Sequence, residues 1–394
     1  MNIQNARLLL IAQYAAPYEG NFIASLKTLE VILKEKFDCE VAYVFPKAVY
    51  SLPWMQQFML EHRTFFTCND VRHSYTELEK IREEYMPTLV HTHFDGYDLV
   101  VNKVFFNGVK RVWHMHNHLS YVSHPLKAMY QMWCFLQHYG FQSRNVNIIS
   151  VSDEMRKFVE RWQLRALHKS GRIQYIPNGI DLSRVLNKRK PRISDDKFIF
   201  LAFGGRNSSK RIDVLLEAGK ELIKLRNDFQ VFITKGTDTE AVVNNYFQGN
   251  LPSWVILKDQ TEDIASLFNS VDCFISSSEH ETFSYAICEA SVFGLPVIQS
   301  DIAGTMWNAK NPSTRLFKVN DPLALCKQMN FIIDADKEEL EKQSKLQLRI
   351  IDVTISLEQW AHNVISFINK FNEEEALFVF IWSFKRWWCR ESFA

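Results

Sequence analysis

Short apolar runs alternate along the chain with longer stretches that carry helix signals. The runs are rich in branched and aromatic residues and end in polar turns, which predicts buried strands. We predict strands at 7–13, 40–45, 88–93, 111–116, 147–152, 172–177, 198–203, 229–233, 254–257, 271–276 and 295–299. We predict helices at 22–36, 76–85, 94–107, 153–162, 212–226, 261–269, 285–293, 323–329, 337–348 and 356–371. Strands that alternate with helices are typical of parallel sheets and an α/β fold.

The stretch 271–304 contains a well-marked strand–helix–strand unit. A strand at 271–276 leads into a polar turn, and a helix at 285–293 follows, with Ser284 as candidate N-cap and Gly294 where a helix stops. The next strand, 295–299, completes the unit. Ligands of such sheets bind beyond the carboxyl ends of the strands. We therefore expect a site in the turn that precedes the helix.

Two glutamates belong to this edge of the predicted sheet. Glu281 lies in the turn, and Glu289 follows after seven intervening residues, about 1.5 turns into the helix. Its side chain leans back toward the first turn, so both carboxylates can reach one pocket. The free N–H groups and the positive end of the helix suit a phosphate. The alternative is that a glutamate early in a helix only complements the helix dipole.

A second glycine-containing turn joins the strand 198–203 to the helix 212–226. It reads GGRNSSKR over 204–211 and includes Gly205, Arg206 and Lys210. Glycines let a ligand approach the backbone, while Arg can bind phosphate through its fork and Lys acts as a point charge. The turn suits a diphosphate; a solvated basic loop is the alternative.

Five histidines cluster at two strand ends, and they are His91, His93, His114, His116 and His118. Alternate residues of a strand share a face, so the last three could point together. Histidine is the commonest transition-metal ligand, but this spacing matches no standard metal site, and only Asp95 lies near in sequence. We expect no metal and no cofactor.

Composition narrows the function classes. A chain of 394 residues with 47% hydrophobic residues predicts two domains with packed cores. A net charge of +1 argues against nonspecific nucleic-acid binding. Seven cysteines without a C-x-x-C pattern indicate a reducing compartment and no zinc site. The N-terminus lacks the features of a signal peptide, and no apolar run is long enough to span a membrane.

Two segments are unusually aromatic. Residues 121–141 predict a helix after Pro125 that is either a buried core helix or a surface that faces an acceptor or a membrane. Residues 377–394, LFVFIWSFKRWWCRESFA, combine aromatic bulk with Lys385, Arg386 and Arg390. This tail suits the interface of an anionic membrane, and packing onto the first domain is the alternative.

The stretch around the two glutamates resembles the donor-site signature of the family 4 retaining glycosyltransferases, the E-x7-E motif. The matching residues are Ser278, Glu281, Phe283, Glu289, Ala290, Gly294, Pro296, Val297 and Ser300. Thr282 departs from the family, which usually has Gly there, and Ser284 departs at a position where Gly is common. The hexapeptide IPNGID at 176–181 also resembles the family, where it closes the first domain.

The resemblance implies a GT-B fold, an α/β architecture of two Rossmann-like domains that face each other across a cleft. It implies Glu289 on the ribose hydroxyls, Arg206 and Lys210 on the diphosphate, and Glu281 with nearby backbone amides on the sugar. His116 would face the reacting centre from the other domain. The implied catalytic residues are His116, Glu281, Arg206 and Lys210. The implied substrate-binding residues are Gly20, Gly205, Arg206, Lys210, Glu281, Thr282, Phe283, Ser284 and Glu289.

The predicted elements and the resemblance together give the expected domain limits. The N-terminal Rossmann-like acceptor domain covers 1–182, the linker 183–196 and the nucleotide-sugar donor domain 197–355. The helix 356–372 returns to the N-terminal domain, and the tail covers 373–394.

The function that the resemblance implies is a retaining glycosyltransferase. It would use a nucleotide-diphosphate sugar, with UDP favoured, and a glycan acceptor that is lipid-linked, in cell-surface polysaccharide synthesis of the bacterial type. Such an enzyme would be cytoplasmic and peripheral on the inner membrane face, without a metal. A sugar-nucleotide epimerase of the same fold and a non-catalytic GT-B partner protein are the alternatives.

Overall fold

A computed structural model describes most of the chain. The described residues are 3–106, 108–117, 125–164, 171–190, 197–336, 338–340, 342–343, 346 and 355–370. The chain divides into two compact units, Met1–Asn178 with Glu358–Ala394 and Gly179–Leu357. The domain limits given above stay predictions. His118, the end of the predicted linker at 191–196 and the aromatic tail lie outside the described residues.

The first unit is built on a parallel sheet. Within the described residues its seven strands are β1 Arg7–Ala12, β2 Glu40–Pro46, β3 Phe65–Cys68, β4 Leu89–His93, β5 Lys110–Met115, β6 Asn147–Ser150 and β7 Ile173–Tyr175. Their order across the sheet is β3-β2-β1-β4-β5-β6-β7. Neighbouring β4 and β5 pair in parallel, with His93 opposite His114, so their carboxyl ends share one edge.

Helices cover the faces of this sheet. The helices of the first unit are α1 Gly20–Phe37, α2 Pro53–Leu60, α3 Tyr75–Tyr85, α4 Asp98–Val104, α5 Pro125–Phe135, α6 Asp153–Trp162 and a last helix at 357–370. Phe22 and Leu26 of α1 pack with Leu10 of β1, and the last helix adds Trp360 and Val364 to the same core. The helix 357–370 therefore belongs to the core of the first unit, although the second unit separates it in sequence.

The second unit repeats the design. Its strands in the described residues are β8 Phe198–Ala202, β9 Phe229–Thr234, β10 Val255–Lys258, β11 Cys273–Ser276, β12 Val297–Ser300 and β13 Thr314–Phe317. They form a parallel sheet in the order β10-β9-β8-β11-β12-β13. The chain reverses the direction in which it adds strands between β8 and β11, which are paired. Such a switch point is where open α/β sheets bind ligands.

The helices of the second unit are α7 Asn207–Lys210, α8 Ile212–Leu222, α9 Thr239–Tyr246, α10 Ile264–Asn269, α11 Tyr285–Phe293 and α12 Pro322–Ile333. Leu215 and Leu222 of α8 and Leu325 of α12 pack against Phe200 and Val231 of the sheet. Each of these side chains is almost fully buried, so α8 and α12 cover one face with a continuous apolar core.

The two-domain α/β fold predicted from the sequence is confirmed, with differences in single elements. The edge strands β3 and β13 and the helices α2, α7 and α9 were not predicted. The edge strands have four residues each and are only partly buried, so their apolar signal is weak. Helix α4 is shorter than predicted because 94–97 form a turn. No helix of the described residues has the length and apolar content needed to cross a membrane.

Candidate active site

Helix α11 begins and ends as the sequence predicts. Ser284 has extended backbone angles, and its Oγ accepts a hydrogen bond from the Ile287 N–H at 3.4 Å. Gly294 ends the helix with a φ of 90°, a left-handed conformation that favours glycine. The N-terminus of α11 therefore lies at the carboxyl edge of the sheet, directly after the strand β11.

The two predicted phosphate and sugar loops meet at this edge. Lys210 Nζ donates to Glu281 Oε1 at 2.6 Å, and the Ser278 hydroxyl donates to the same oxygen at 2.9 Å. The Ser277 hydroxyl donates to the Lys210 carbonyl at 2.8 Å. Residues that are distant in sequence thus form one connected site. Lys210 and Glu281, both predicted site residues, are brought into direct contact.

A small pocket lies at the switch point between β8 and β11. Its lining includes Phe203, Lys210, Ser276, Ser278 and Ser284. Serine and lysine side chains line the pocket together with apolar residues, so it offers donors to an anionic or polyhydroxylated ligand.

The turn after β8 is shaped by its glycines. The Gly204 N–H donates to Thr234 Oγ1 at 3.0 Å, and the Gly205 N–H donates to Thr239 Oγ1 at 2.9 Å. A Cβ on Gly204 would lie 2.0 Å from the Thr234 carbonyl oxygen, so only glycine fits there. The Arg206 side chain is exposed and forms no ion pair with the described residues.

Arg211, at the end of this turn, has a structural role. It has a φ of 48° and precedes α8, where it forms an ion pair with Asp213 at 2.9 Å and with Glu279 at 3.0 Å. The hydrogen bonds that the Arg211 guanidinium donates to the Asp213 carboxylate raise the pKa of Arg211 above its usual value. Arg211 therefore connects the turn after β8 to the turn after β11.

Glu289 forms an ion pair with Arg184, a residue that was not predicted from the sequence. Its side chain is only 6% exposed, and its Oε1 lies 2.9 Å from Nη1 of Arg184. Arg184 ends a short 3-10 helix, Leu182–Arg184, at the start of the predicted linker. Nothing in the linker sequence marked Arg184, because its partner is more than a hundred positions away in the chain.

Removing Arg184 should destabilise the second unit. In Arg184→Gln a buried carboxylate loses a charged partner, so we expect the free energy of unfolding to fall by about 1–3 kcal/mol. Urea denaturation measures this change. The double variant Arg184→Gln/Glu289→Gln should recover part of the loss, and Lys188→Gln, an exposed change in the same segment, should be neutral. Equal stability of Arg184→Gln and wild type would show that the pair contributes nothing.

The loop after β12 packs closely against the backbone of Glu281. A Cβ on Gly304 would lie 1.7 Å from the Glu281 carbonyl oxygen and 2.5 Å from its carbonyl carbon. The Ser300 hydroxyl also donates to the Ser278 carbonyl. The backbone of the glutamate turn is therefore held from behind by the loop that follows the next strand.

Three other predicted binding residues have different surroundings. Phe283 is buried, and its ring stacks on Trp307 with centroids 5.4 Å apart, so its side chain is committed to packing. Thr282 lies between Glu281 and Phe283 and can offer its backbone to a ligand. Gly20 is in the first unit, where it begins α1 with a φ of 57°. Its positive φ explains the glycine, and its role in binding stays a prediction.

Four of the predicted histidines form a stack in the first unit. His91 and His93 of β4 and His114 and His116 at the end of β5 lie on one face of the sheet, as alternate positions require. Nδ1 of His93 lies 3.1 Å from Nε2 of His116, and Nδ1 of His114 lies 3.3 Å from Nε2 of His91. The Phe22 ring contacts His116 edge-on.

The distances between the ring nitrogens would allow three of these histidines to bind one metal ion. The ring nitrogens of His91, His93 and His114 lie within 4.8 Å of one another. This cluster of described residues contains no carboxylate to offset the charge of a divalent cation, and Trp360 packs beside it. Burying an uncompensated cation is costly, so the fit to a metal is poor. The absence of a metal requirement stays a prediction.

The histidine stack should make stability depend on pH. Burial lowers the pKa of His91 to about 3 from 6.5, so below pH 6.5 the unfolded chain binds a proton that the folded chain excludes. Stability is therefore fully present above pH 6.5 and is lost as pH falls toward 3, by up to about 1.4 kcal/mol per pH unit for each such histidine.

Urea denaturation between pH 7.5 and 5 tests this effect. We expect His91→Leu to show a shallower loss of stability than wild type, since one protonation site of the unfolded chain is removed. His62→Gln, at an exposed histidine, is the control and should keep the wild-type slope. Identical slopes for wild type and His91→Leu would contradict the expectation.

Comparison with known protein families shows to which family the chain belongs. A model described as "Glycosyl transferases group 1" matches residues 183–348, and one described as "Glycosyltransferase Family 4" matches residues 59–184. Together they match residues 59–348, which include part of the first unit and every residue of the site in the second unit. The chain belongs to the family 4 type of glycosyltransferase. No curated protein matches its sequence.

Solved structures share the fold of this glycosyltransferase. HepE from Anabaena, in complex with UDP and glucose, is 14% identical, with a TM-score of 0.73 over 93% of this chain and 100% of that one. A glycosyltransferase from Rickettsia africae is 16% identical, with a TM-score of 0.71 over 92% and 97%. Sucrose-phosphate synthase from Thermosynechococcus elongatus is 15% identical, with a TM-score of 0.71 over 94% and 100%. The predicted GT-B fold and transferase class are confirmed.

Proposed function

We propose that this glycosyltransferase transfers a hexose from a nucleotide-diphosphate sugar, UDP-sugar being favoured, to a glycan acceptor with retention of configuration. The observation that carries the proposal is the contact of Lys210 with Glu281 beside the N-terminus of α11, at the switch point of the sheet. HepE, which shares the fold, was solved with UDP and with UDP-glucose. These findings support a nucleotide-sugar donor.

We propose roles for the charged groups of the candidate site. Lys210 and Arg206 bind the diphosphate, and Gly205 lets it approach the backbone. Glu289, held by Arg184, accepts hydrogen bonds from the ribose hydroxyls. Glu281 and the backbone amides of 282–284 bind the sugar. The role expected of His116 in the first unit stays a prediction.

Loss of the nucleoside diphosphate is the costly step of the reaction. Negative charge grows on the departing phosphate, and preorganised cations and helix N–H groups stabilise it. In the structure, Lys210 donates to Glu281. An incoming diphosphate competes for the same ammonium group, which frees a Glu281 oxygen for the sugar hydroxyls. We propose that Lys210, Arg206 and the N-terminus of α11 supply this stabilisation without a metal.

The acceptor that we propose is a lipid-linked glycan in cell-surface polysaccharide synthesis. The aromatic and basic sequence of 377–394 supports this choice, because such a tail suits an anionic membrane surface. The enzyme would then work in the cytoplasm, peripherally on the membrane.

Donor hydrolysis and nucleotide binding test the proposed function. We would screen UDP- and GDP-sugars with EDTA present and measure released nucleotide, free sugar and the direct binding of UDP and GDP. Release from one donor class in EDTA supports the metal-free transferase. Conversion of the donor to an epimer without release would identify an epimerase. No binding of any nucleotide sugar would overturn the assignment and leave a non-catalytic partner protein.

A further inference from the structure

Helix α5 of the first unit exposes an apolar stripe. Leu126, Met129, Tyr130 and Trp133 are 72%, 68%, 71% and 56% exposed. They occupy positions i, i+3, i+4 and i+7, which lie on one side of a helix within about 100° of arc. Phe135, on the opposite side of α5, is buried against Tyr139 and neighbouring core residues. The helix therefore has an inner face that packs and an outer face that is apolar and exposed.

The residue types of this stripe are more typical of a membrane interface than of a protein core. Tyr and Trp combine an apolar ring with a polar group and are enriched where lipid meets water. Contiguous exposed apolar patches of this kind mark interaction sites rather than ordinary surface. Of the segment 121–141, for which a buried core helix was one of the two predictions, Phe135 and Tyr139 are buried, whereas the outer face of α5 is exposed.

The positive charge of the segment that contains α5 favours an anionic partner. Residues 99–152 contain no Asp or Glu, although the chain has 45 of them, and they contain Lys103, Lys110, Arg111, Lys127 and Arg144. Lys103, Lys127 and Arg144 are exposed, and Lys127 stands on α5 beside the apolar stripe. Anionic lipid headgroups attract such a surface. A second copy of this chain would present the same positive charge, so the two faces would repel each other.

We propose that the outer face of α5, defined by Leu126, Met129, Tyr130 and Trp133, docks on an anionic lipid surface. The aromatic and aliphatic side chains enter the boundary between headgroups and acyl chains, while Lys127 on the same helix contacts the phosphates. This docking surface is distinct in sequence from the tail 377–394. It deepens the proposed function, on whose lipid-linked acceptor it rests, because it would hold the first unit at the membrane that carries that acceptor.

Vesicle flotation of the full chain tests the proposal. The vesicles are phosphatidylcholine alone or phosphatidylcholine with an equal share of phosphatidylglycerol. The test variant Leu126→Gln/Met129→Gln/Trp133→Gln removes the stripe. The matched control Leu60→Gln/Leu225→Gln/Leu323→Gln changes three leucines that are 70%, 69% and 64% exposed on other parts of the fold. All substitutions are at exposed positions, so we expect both proteins to fold, and thermal denaturation checks this.

We expect wild type and control to float with the anionic vesicles, and the stripe variant to partition about tenfold or more weakly. A chain truncated after Asn372 should still float, with the same loss when the stripe is removed. Equal flotation of stripe variant and wild type overturns the proposal, as does binding that the truncation alone abolishes. A dimer that only the stripe variant disrupts, without vesicle binding by wild type, would assign the face to a second copy and also overturn it.

Donor hydrolysis separates this inference from the proposed function. The stripe variant should release nucleotide from a water-soluble donor at the wild-type rate, because α5 contributes nothing to the site in the second unit. Lost flotation with intact hydrolysis supports the docking surface. Intact flotation by a protein that binds no nucleotide sugar would leave the docking surface standing and overturn only the proposed function.

Discussion

Lys210→Ala should lower kcat/KM for the nucleotide-sugar donor by about 100- to 1000-fold, the size of effect seen when one preorganised group that stabilises transition-state charge is removed. Lys210 lies in the pocket at the switch point and donates to Glu281 at 2.6 Å, so it is already positioned before a donor arrives. Most of the loss should appear in kcat, because the charge on the departing diphosphate grows as the bond breaks.

Steady-state kinetics with the donor identified by the nucleotide screen measure this loss. Lys224→Ala is the matched control, because Lys224 is an exposed lysine of the second unit that pairs only with Glu221 among the described residues. It should keep wild-type kinetics. If Lys210→Ala raised KM alone and left kcat unchanged, Lys210 would bind substrate and transition state equally, and its catalytic role would be wrong.

Gly304→Ala should reduce kcat by about 100-fold although the residue carries no reactive group. The added Cβ would lie 1.7 Å from the Glu281 carbonyl oxygen, so the turn that carries Glu281 must move. A displacement of about 1 Å at a catalytic group is enough for a loss of this size. Overpacking at this buried position should also lower the free energy of unfolding by about 1–3 kcal/mol.

Two measurements distinguish displacement from general unfolding. Urea denaturation shows whether the variant is folded at the assay temperature, and binding of the free nucleotide shows whether Lys210 and Glu289 still hold it. We expect a folded variant that binds nucleotide and turns over slowly. Ala303→Ser, at the exposed neighbouring residue, should behave as wild type. Wild-type kcat in Gly304→Ala would mean that the turn accommodates the Cβ elsewhere.

Local sequence patterns predicted the elements that carry the chemistry. The run before Ser277, the cap at Ser284 and the stop at Gly294 defined β11 and α11, because strand burial, N-capping and left-handed glycine are properties of a few adjacent residues. The short edge strands β3 and β13 and helix α9 were missed, since their sequences are too short or too mixed to show a period.

The tertiary structure decided which residues meet. The sequence offered Lys210 and Glu281 as separate motifs, but parallel pairing of β8 with β11 brings their loops together. Arg184 became visible only as the partner of buried Glu289, and only the structure shows how closely Gly304 approaches Glu281. Such contacts join positions far apart in the chain, and no local pattern records them.

The sequence by itself determined that this protein has an α/β fold and a glycosyltransferase donor motif. The alternation of strands and helices and the spacing of Glu281 and Glu289 can both be recognised from residues that are close together in the chain. Only the tertiary structure decided that the outer face of α5 is exposed and that the four histidines stack in a core. A stripe of Leu, Met, Tyr and Trp has the same period whether a helix is buried or exposed, and its burial depends on what the rest of the chain packs against it.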